Sequence, residues 1–174
     1  MRLTTTLLAI LTAKLLAACS SYTLPVPQTQ PRLVEDVQWF KWERYNKGQE
    51  SVQTGILAAE QLEDGIRFVQ TDILGAPVSR QTINSRGWQN DGFIMPNISS
   101  RLLFAALLPL ITAENAAPLY PESKRTDADT SFCSKGALFR YRNRDIWCVN
   151  HTGGQFLITL PDQTSWSVAP IEPL

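Results

Sequence analysis

The stretch "NISSRLLFAALLPLITAEN", Asn97 to Asn115, decides the fold. Leu102, Leu103, Phe104, Leu107 and Leu108 fall on every side of a helix whose body runs from Arg101 to Leu108 and leave it almost no polar face. Ser99 or Ser100 can cap its start. Pro109 should kink the helix or begin a second piece, because proline lacks the N–H and its ring crowds the preceding turn. A helix near 100–112 is too short to cross a bilayer, so its apolar surface must be buried in protein on several sides. The economical place for it is across the mouth or the concave face of a curved sheet.

The flanks supply that sheet. Upstream, "VQWFKWERY" (37–45), "SVQTGILAAE" (51–60), "GIRFVQTDI" (65–73), "APVSRQTIN" (76–84) and "GWQNDGFIM" (87–95) have strand character. Asn46-Lys47-Gly48, Glu63-Asp64-Gly65, Leu74-Gly75-Ala76-Pro77 and Asn84-Ser85-Arg86-Gly87 break the chain between them. Ile66 and Phe68 fall on one face and Arg67 on the other, as on a half-buried strand. Downstream, "GALFRYRNRDIWCVN" (136–150) reads as two strands with a turn near Asn143 and Arg144, and "GQFLITLP" and "SWSVAPI" add two more. Residues 116–129 read as a charged connection. These elements predict a mainly β, α+β domain over residues 34–174: an antiparallel meander curved around a hydrophobic interior, with the helix across its mouth or concave face.

"LLAACSSY" (15–22) concerns a different matter, the fate of Cys19. Arg2, an apolar run from Leu7 to Ala18 and small residues before the cysteine have the order of a secretory signal over residues 1–18. Lys14 interrupts the apolar run. The segment resembles the lipobox of bacterial lipoproteins, which implies cleavage before Cys19 and its acylation, with palmitate among the usual acyl groups. Residues 19–33, with Pro25, Pro27 and Pro31, read as a lipidated start and flexible tether. Ser20 after the cysteine implies, by the enterobacterial sorting rule, an outer-membrane anchor with the domain facing the periplasm.

In that oxidising compartment the remaining Cys133 and Cys148 are expected to form a structural disulfide, with Cys133 in the loop leading into its strand. Sixteen basic residues balance sixteen acidic ones, which disfavours nucleic acid as a partner. Catalysis is not expected. His151 is the sole histidine, "NHTGG" reads as an exposed turn, and no G-x-S-x-G elbow or metal-ligand cluster is present. No cofactor is implied. "RYRNR" (140–144) reads as a solvated hairpin tip, and Trp39, Trp42, Phe68 and Phe93 suit either an acyl-chain pocket or sheet packing.

Strands, then "TDILGAPVSRQTI", then an apolar helix, then closing strands: this order resembles the LolA/LolB family of periplasmic and outer-membrane lipoprotein carriers. The resemblance implies an open, incomplete antiparallel barrel with a helical lid, a half-barrel that binds acyl chains, with Leu103, Phe104, Leu107, Leu108, Trp39 and Phe68 at the cavity or lid. It also implies that Leu74, before Gly75, contacts the membrane during delivery. Ile73 stands where that family usually has proline. The implied partners are membrane lipid, an apolar lipid or lipoprotein cargo, and a periplasmic LolA-like carrier. A closer likeness, to LolB-like lipoproteins associated with aryl-polyene biosynthesis, would make the cargo a polyene-bearing lipid. The other expectation is a closed core, in which the same helix residues only fill the interior of an accessory lipoprotein.

Overall fold

The computed structural model describes residues 24–48, 50, 53–113, 119–127 and 130–171. The expectations for residues 1–23, Cys19 included, lie outside the described residues.

The strands are β1 (Val37–Tyr45), β2 (Gln53–Gln61), β3 (Ile66–Asp72), β4 (Pro77–Asn84) and β5 (Gly87–Asn90), then β6 (Ser123–Thr126), β7 (Ala137–Tyr141), β8 (Arg144–Thr152), β9 (Gln155–Thr159) and β10 (Ser165–Pro170). Helix α1 (Ile98–Ile111) lies between β5 and β6 in the chain. Among the described residues, all strand pairings are antiparallel, in one ten-stranded sheet of order β5-β4-β3-β2-β1-β10-β9-β8-β7-β6. The two meanders thus join through their first and last strands, Trp42 opposite Val168, and α1 belongs to the connection between the free edges β5 and β6.

Alternation sets the inner face. Phe40 and Trp42, Leu57 and Ala59, Ile66 and Phe68, Trp166 and Val168 point inward and form one core with α1. Gly55 is needed for the curvature: a Cβ there would meet the Thr71 carbonyl oxygen at 1.9 Å. Trp42, opposite Gly55, reaches past it and donates its indole N–H to that same oxygen at 3.0 Å.

Helix α1 is buried along nearly its whole length; Leu103, Phe104, Leu107 and Leu108 have no exposed surface, and Phe104 stacks on Phe68 with ring centroids 4.7 Å apart. Asn97, rather than Ser99 or Ser100, is the N-cap; its side chain accepts from the Ser100 N–H. Pro109 neither ends nor splits the helix. Its missing N–H would have bonded the Ala105 carbonyl, and the buried Tyr120 hydroxyl donates to that oxygen instead, at 3.1 Å. The last turn is satisfied from outside: Thr112 Oγ1 donates to the Leu108 carbonyl, and Gln38 Nε2 and the Val34 N–H donate to that of Ile111.

Other expectations change as well. The tether does not run free to residue 33: Leu24 and Leu33 are buried, Leu33 bridges Thr112, and the Trp88 indole donates to the Pro25 carbonyl. The apolar Leu24, Val26 and Leu33 between the prolines are what hold this segment down. The strand expected over 87–95 stops at Asn90, since Asp91 turns its carboxylate to Arg67 and Arg80. The charged connection contains a short edge strand, β6, paired with β7. The β7–β8 turn falls at Arg142 and Asn143, both at positive φ, one residue before the expected pair. Cys133 and Cys148 form the disulfide with Cα atoms 5.4 Å apart, Cys133 in the loop before β7 and Cys148 on β8. Among the described residues, the main core runs from Leu24 to Val168 and the sheet from Val37 to Pro170.

Tyr120→Phe leaves a buried carbonyl unpaired and is expected to destabilise the fold by about 2 kcal/mol in urea unfolding. In a Pro109→Ala background, where Ala105 regains its backbone donor, the cost should fall to less than half; equal costs would show that the hydroxyl does not replace the lost N–H. Burial raises the Tyr120 pKa above its unfolded value near 10.0. Its contribution is therefore complete below about pH 10 and is lost as pH rises through the folded pKa, so the alkaline limit of stability should differ between the parent and the Tyr120→Phe chain.

Candidate functional site

Two parts of the surface depart from ordinary polar cover, and they lie at opposite ends of the sheet. The first is the corner where β3 turns into β4 and β5 leaves for α1. Asp72 builds the β3–β4 turn: one carboxylate oxygen accepts from the N–H groups of Leu74 and Ala76 at 2.9 and 2.8 Å, and its carbonyl accepts from Gly75 at 3.1 Å. Gly75 takes a φ of +82°, which favours glycine. The result is a held turn that presents Ile73 and Leu74 to solvent, 76% and 89% exposed. Leu74 thus protrudes into solvent and does not fold back on the core.

Beside it, the β5–α1 connection is held in the same manner. Asn90 Nδ2 donates to the carbonyls of Gly92 and Ile94. Asp91 accepts from Arg67 on β3 at 2.7 Å and from Arg80 on β4 at 3.0 Å. Burial opposes the charge on Asp91, but the hydrogen bonds from Arg67 and Arg80 outweigh it and hold the carboxyl below its usual range. Phe93 and Met95 stand out from this frame almost wholly exposed.

The second part lies around the last turn of α1. A cleft of about 340 Å³ is lined by Val34, Trp39, Phe40, Leu110, Ile111, Phe156 and Ile171, with Glu35, Gln38 and Pro170 at its margins. A wider one of about 770 Å³ shares Leu110 and Phe156 and continues past Val149 and Ala137 to Arg125, Asp127, Ser134 and His151. Together they make a trough, apolar at one end and polar at the other, of a size that holds small ligands. His151 is exposed and stacks on Phe156 at 5.0 Å. Among the described residues, no three His, Cys, Asp or Glu side chains are grouped as metal ligands.

The expected cavity residues are therefore divided. Leu103, Phe104, Leu107, Leu108 and Phe68 sit in solid packing, whereas Trp39, half exposed, lines the trough. Trp42 belongs to the core and Phe93 to the corner. The basic hairpin tip is paired: Arg140 with Asp145, Arg142 with Glu122. Sequence reasoning missed Asp72, Asn90 and Asp91 as the loops' braces, although an Asp or Asn within a few residues of a glycine, as before Gly75 and Gly92, is a usual mark of such turns. Leu110 and Phe156 carried no signal, because their juxtaposition depends on the closure of β9 against β10 and β1. No helix among the described residues is long and apolar enough to cross a membrane.

No protein-family model, curated protein or solved structure matches the chain.

Asp72→Ala should leave the urea midpoint nearly unchanged, since the turn is exposed, while amide exchange at Leu74 and Ala76 accelerates by an order of magnitude or more. Unchanged exchange at both amides would mean that the carboxylate does not hold the turn.

Proposed function

We propose that the protein is an outer-membrane lipoprotein, anchored through acylated Cys19, that holds an apolar chain and assists its transfer at the membrane. The observation that carries this reading is the trough at the C-terminal end of α1, whose apolar half is open to solvent and rimmed by Val34, Trp39, Phe156 and Ile171. An acyl or polyene chain is the cargo that such a lining suits: each buried methylene contributes about 0.8 kcal/mol, and no directional chemistry is required. Transfer is then a partition between two apolar media, and the exposed Leu74 turn supplies the contact that holds the domain against the bilayer during delivery. Lipoprotein acyl groups and polyene-bearing lipids are the two cargo classes in view, with a LolA-like carrier as donor.

A second reading has its own support. The complete burial of Leu103, Phe104, Leu107 and Leu108 against Phe68 favours a closed-core accessory lipoprotein that works through its surface.

Native mass spectrometry of the chain from Ser20 onward, as purified and after incubation with palmitate and with a diacylglycerol-modified peptide, separates the two. A carrier gains a ligand of defined mass, and Phe156→Arg, in a chain with unchanged circular dichroism, removes it. A bare mass under every condition favours the accessory protein. In a delivery assay from the loaded chain to vesicles, Leu74→Glu is expected to leave cargo binding intact and abolish delivery; undiminished delivery would remove the role assigned to that turn.

A further inference from the structure

Phe93, Leu74, Met95 and Ile73 are among the most exposed large apolar side chains of the described residues, and all four sit at one corner of the sheet. We propose that the β5–α1 loop is a second bilayer-inserting wedge, with Phe93 and Met95 at its tip, which acts with the Ile73–Leu74 turn to lay the β3–β5 corner on the membrane. This deepens the reading above and rests on it for the acyl group at Cys19.

Placement comes from the polar frame. The loop leaves the sheet at Asp91, whose N–H bonds the Arg80 carbonyl, and returns at Asn97, whose carbonyl accepts from Gln81 Nε2. Residues 92–96 are thus an excursion around the edge of β4. Arg80 is three residues from Pro77, where the Leu74 turn ends, so the two tips stand on the order of 10 Å apart along that strand. Arg67 and Arg80 tie Asp91 to the two strands that carry the Leu74 turn, so both tips ride on one rigid base.

The occupant that fits is a lipid bilayer. Neither "ILGA" (73–76) nor "GFIMPN" (92–97) contains a charged residue; beneath them the Asp72 carboxylate is taken up by backbone N–H groups, and Asp91 is paired with Arg67 and Arg80. Both tips are narrow turns that project side chains singly, a shape that enters an interface of mobile acyl chains and offers a folded partner little area to pack against. The first described residues lie beside β5: Val26 lies against Gly87, and the Pro25 carbonyl accepts from the Trp88 indole. From Cys19 to Leu24 the backbone can reach about 17 Å, and β5 itself extends roughly 10 Å from Gly87 to the base of the loop. An acylated Cys19 can therefore enter the same membrane plane as Phe93 and Met95. The uncharged tips predict that this docking depends little on salt.

The test is co-sedimentation of the non-acylated chain from Ser20 onward with phosphatidylcholine vesicles at low and high salt. The parent chain is expected to partition to the vesicles at both. Phe93→Ser/Met95→Ser should lower the partition coefficient by about tenfold or more, Leu74→Ser should lower it further in combination, and Val34→Ser/Trp39→Ser at the opposite end should change it by less than about twofold. Since Phe93 and Met95 are exposed, the variant should keep the parent's urea midpoint, so loss of partition is not loss of fold. A parent chain that stays in the supernatant, or a Phe93→Ser/Met95→Ser chain that sediments like the parent, overturns the proposal. So does association into dimers through this corner with no vesicle binding. Palmitate binding by native mass spectrometry is read on the same chains: vesicle binding without palmitate binding removes the carrier reading and supports the wedge, and palmitate binding with unaltered sedimentation of the variant does the reverse.

Discussion

A helix with no polar face cannot face water, and the rest of this structure follows from enclosing one. Helix α1 is wrapped by a sheet whose meanders meet at β1 and β10, so that its middle contacts apolar side chains while its ends meet polar groups. Enclosure makes every unpaired backbone group expensive. Asn97 caps the start, Tyr120 replaces the donor that Pro109 lacks, and Thr112, Gln38 and Val34 close the end. The segment before β1 is drawn in by the same demand: Leu33 bridges Thr112, and the Gln28 N–H bonds the Leu119 carbonyl, which places the chain over the helix's far end.

Enclosure also divides the functional surface. With the space beneath the middle of α1 filled by Phe104 on Phe68, apolar surface stays open in the trough at the helix's last turn and, most of all among the described residues, on the two braced turns at the opposite corner. The two have different physics. A trough lowers the free energy of an apolar chain by removing it from water without imposing direction. A turn held by Asp72 or Asn90 holds a large side chain in water at a standing cost, which is recovered only when a partner or a bilayer covers it. On the proposed reading, holding and delivering fall to separate places on one sheet.

Much of the architecture was legible in local pattern. The all-apolar run at 101–108 demanded burial, the strand-and-turn spacing on both sides implied an antiparallel meander, and Cys133 with Cys148 formed the bond expected of two leftover thiols. What was not legible depended on partners distant in sequence. Nothing near Pro109 indicates that a tyrosine eleven residues on would complete its helix. Four polar residues, "SKRT", form β6 only because β7 offers an edge. "DGFIM" has strand composition, yet Asp91 is drawn to Arg67 and Arg80, and the following residues become a loop. Prolines suggested a free tether, whereas Leu24 and Leu33 find apolar cover that only the finished sheet provides.

The central claim is that α1 is a permanent part of the core and that apolar cargo binds at its end. Hydrogen exchange of the chain with and without palmitate tests it most directly. The account predicts that amides of residues 102–108 exchange as slowly as those of β1 and β10 in both states, and that palmitate adds protection around Phe156 and at Ile111. Faster exchange along α1 than in those strands, or protection by palmitate centred on residues 102–108, would contradict it and make the helix a lid over the site.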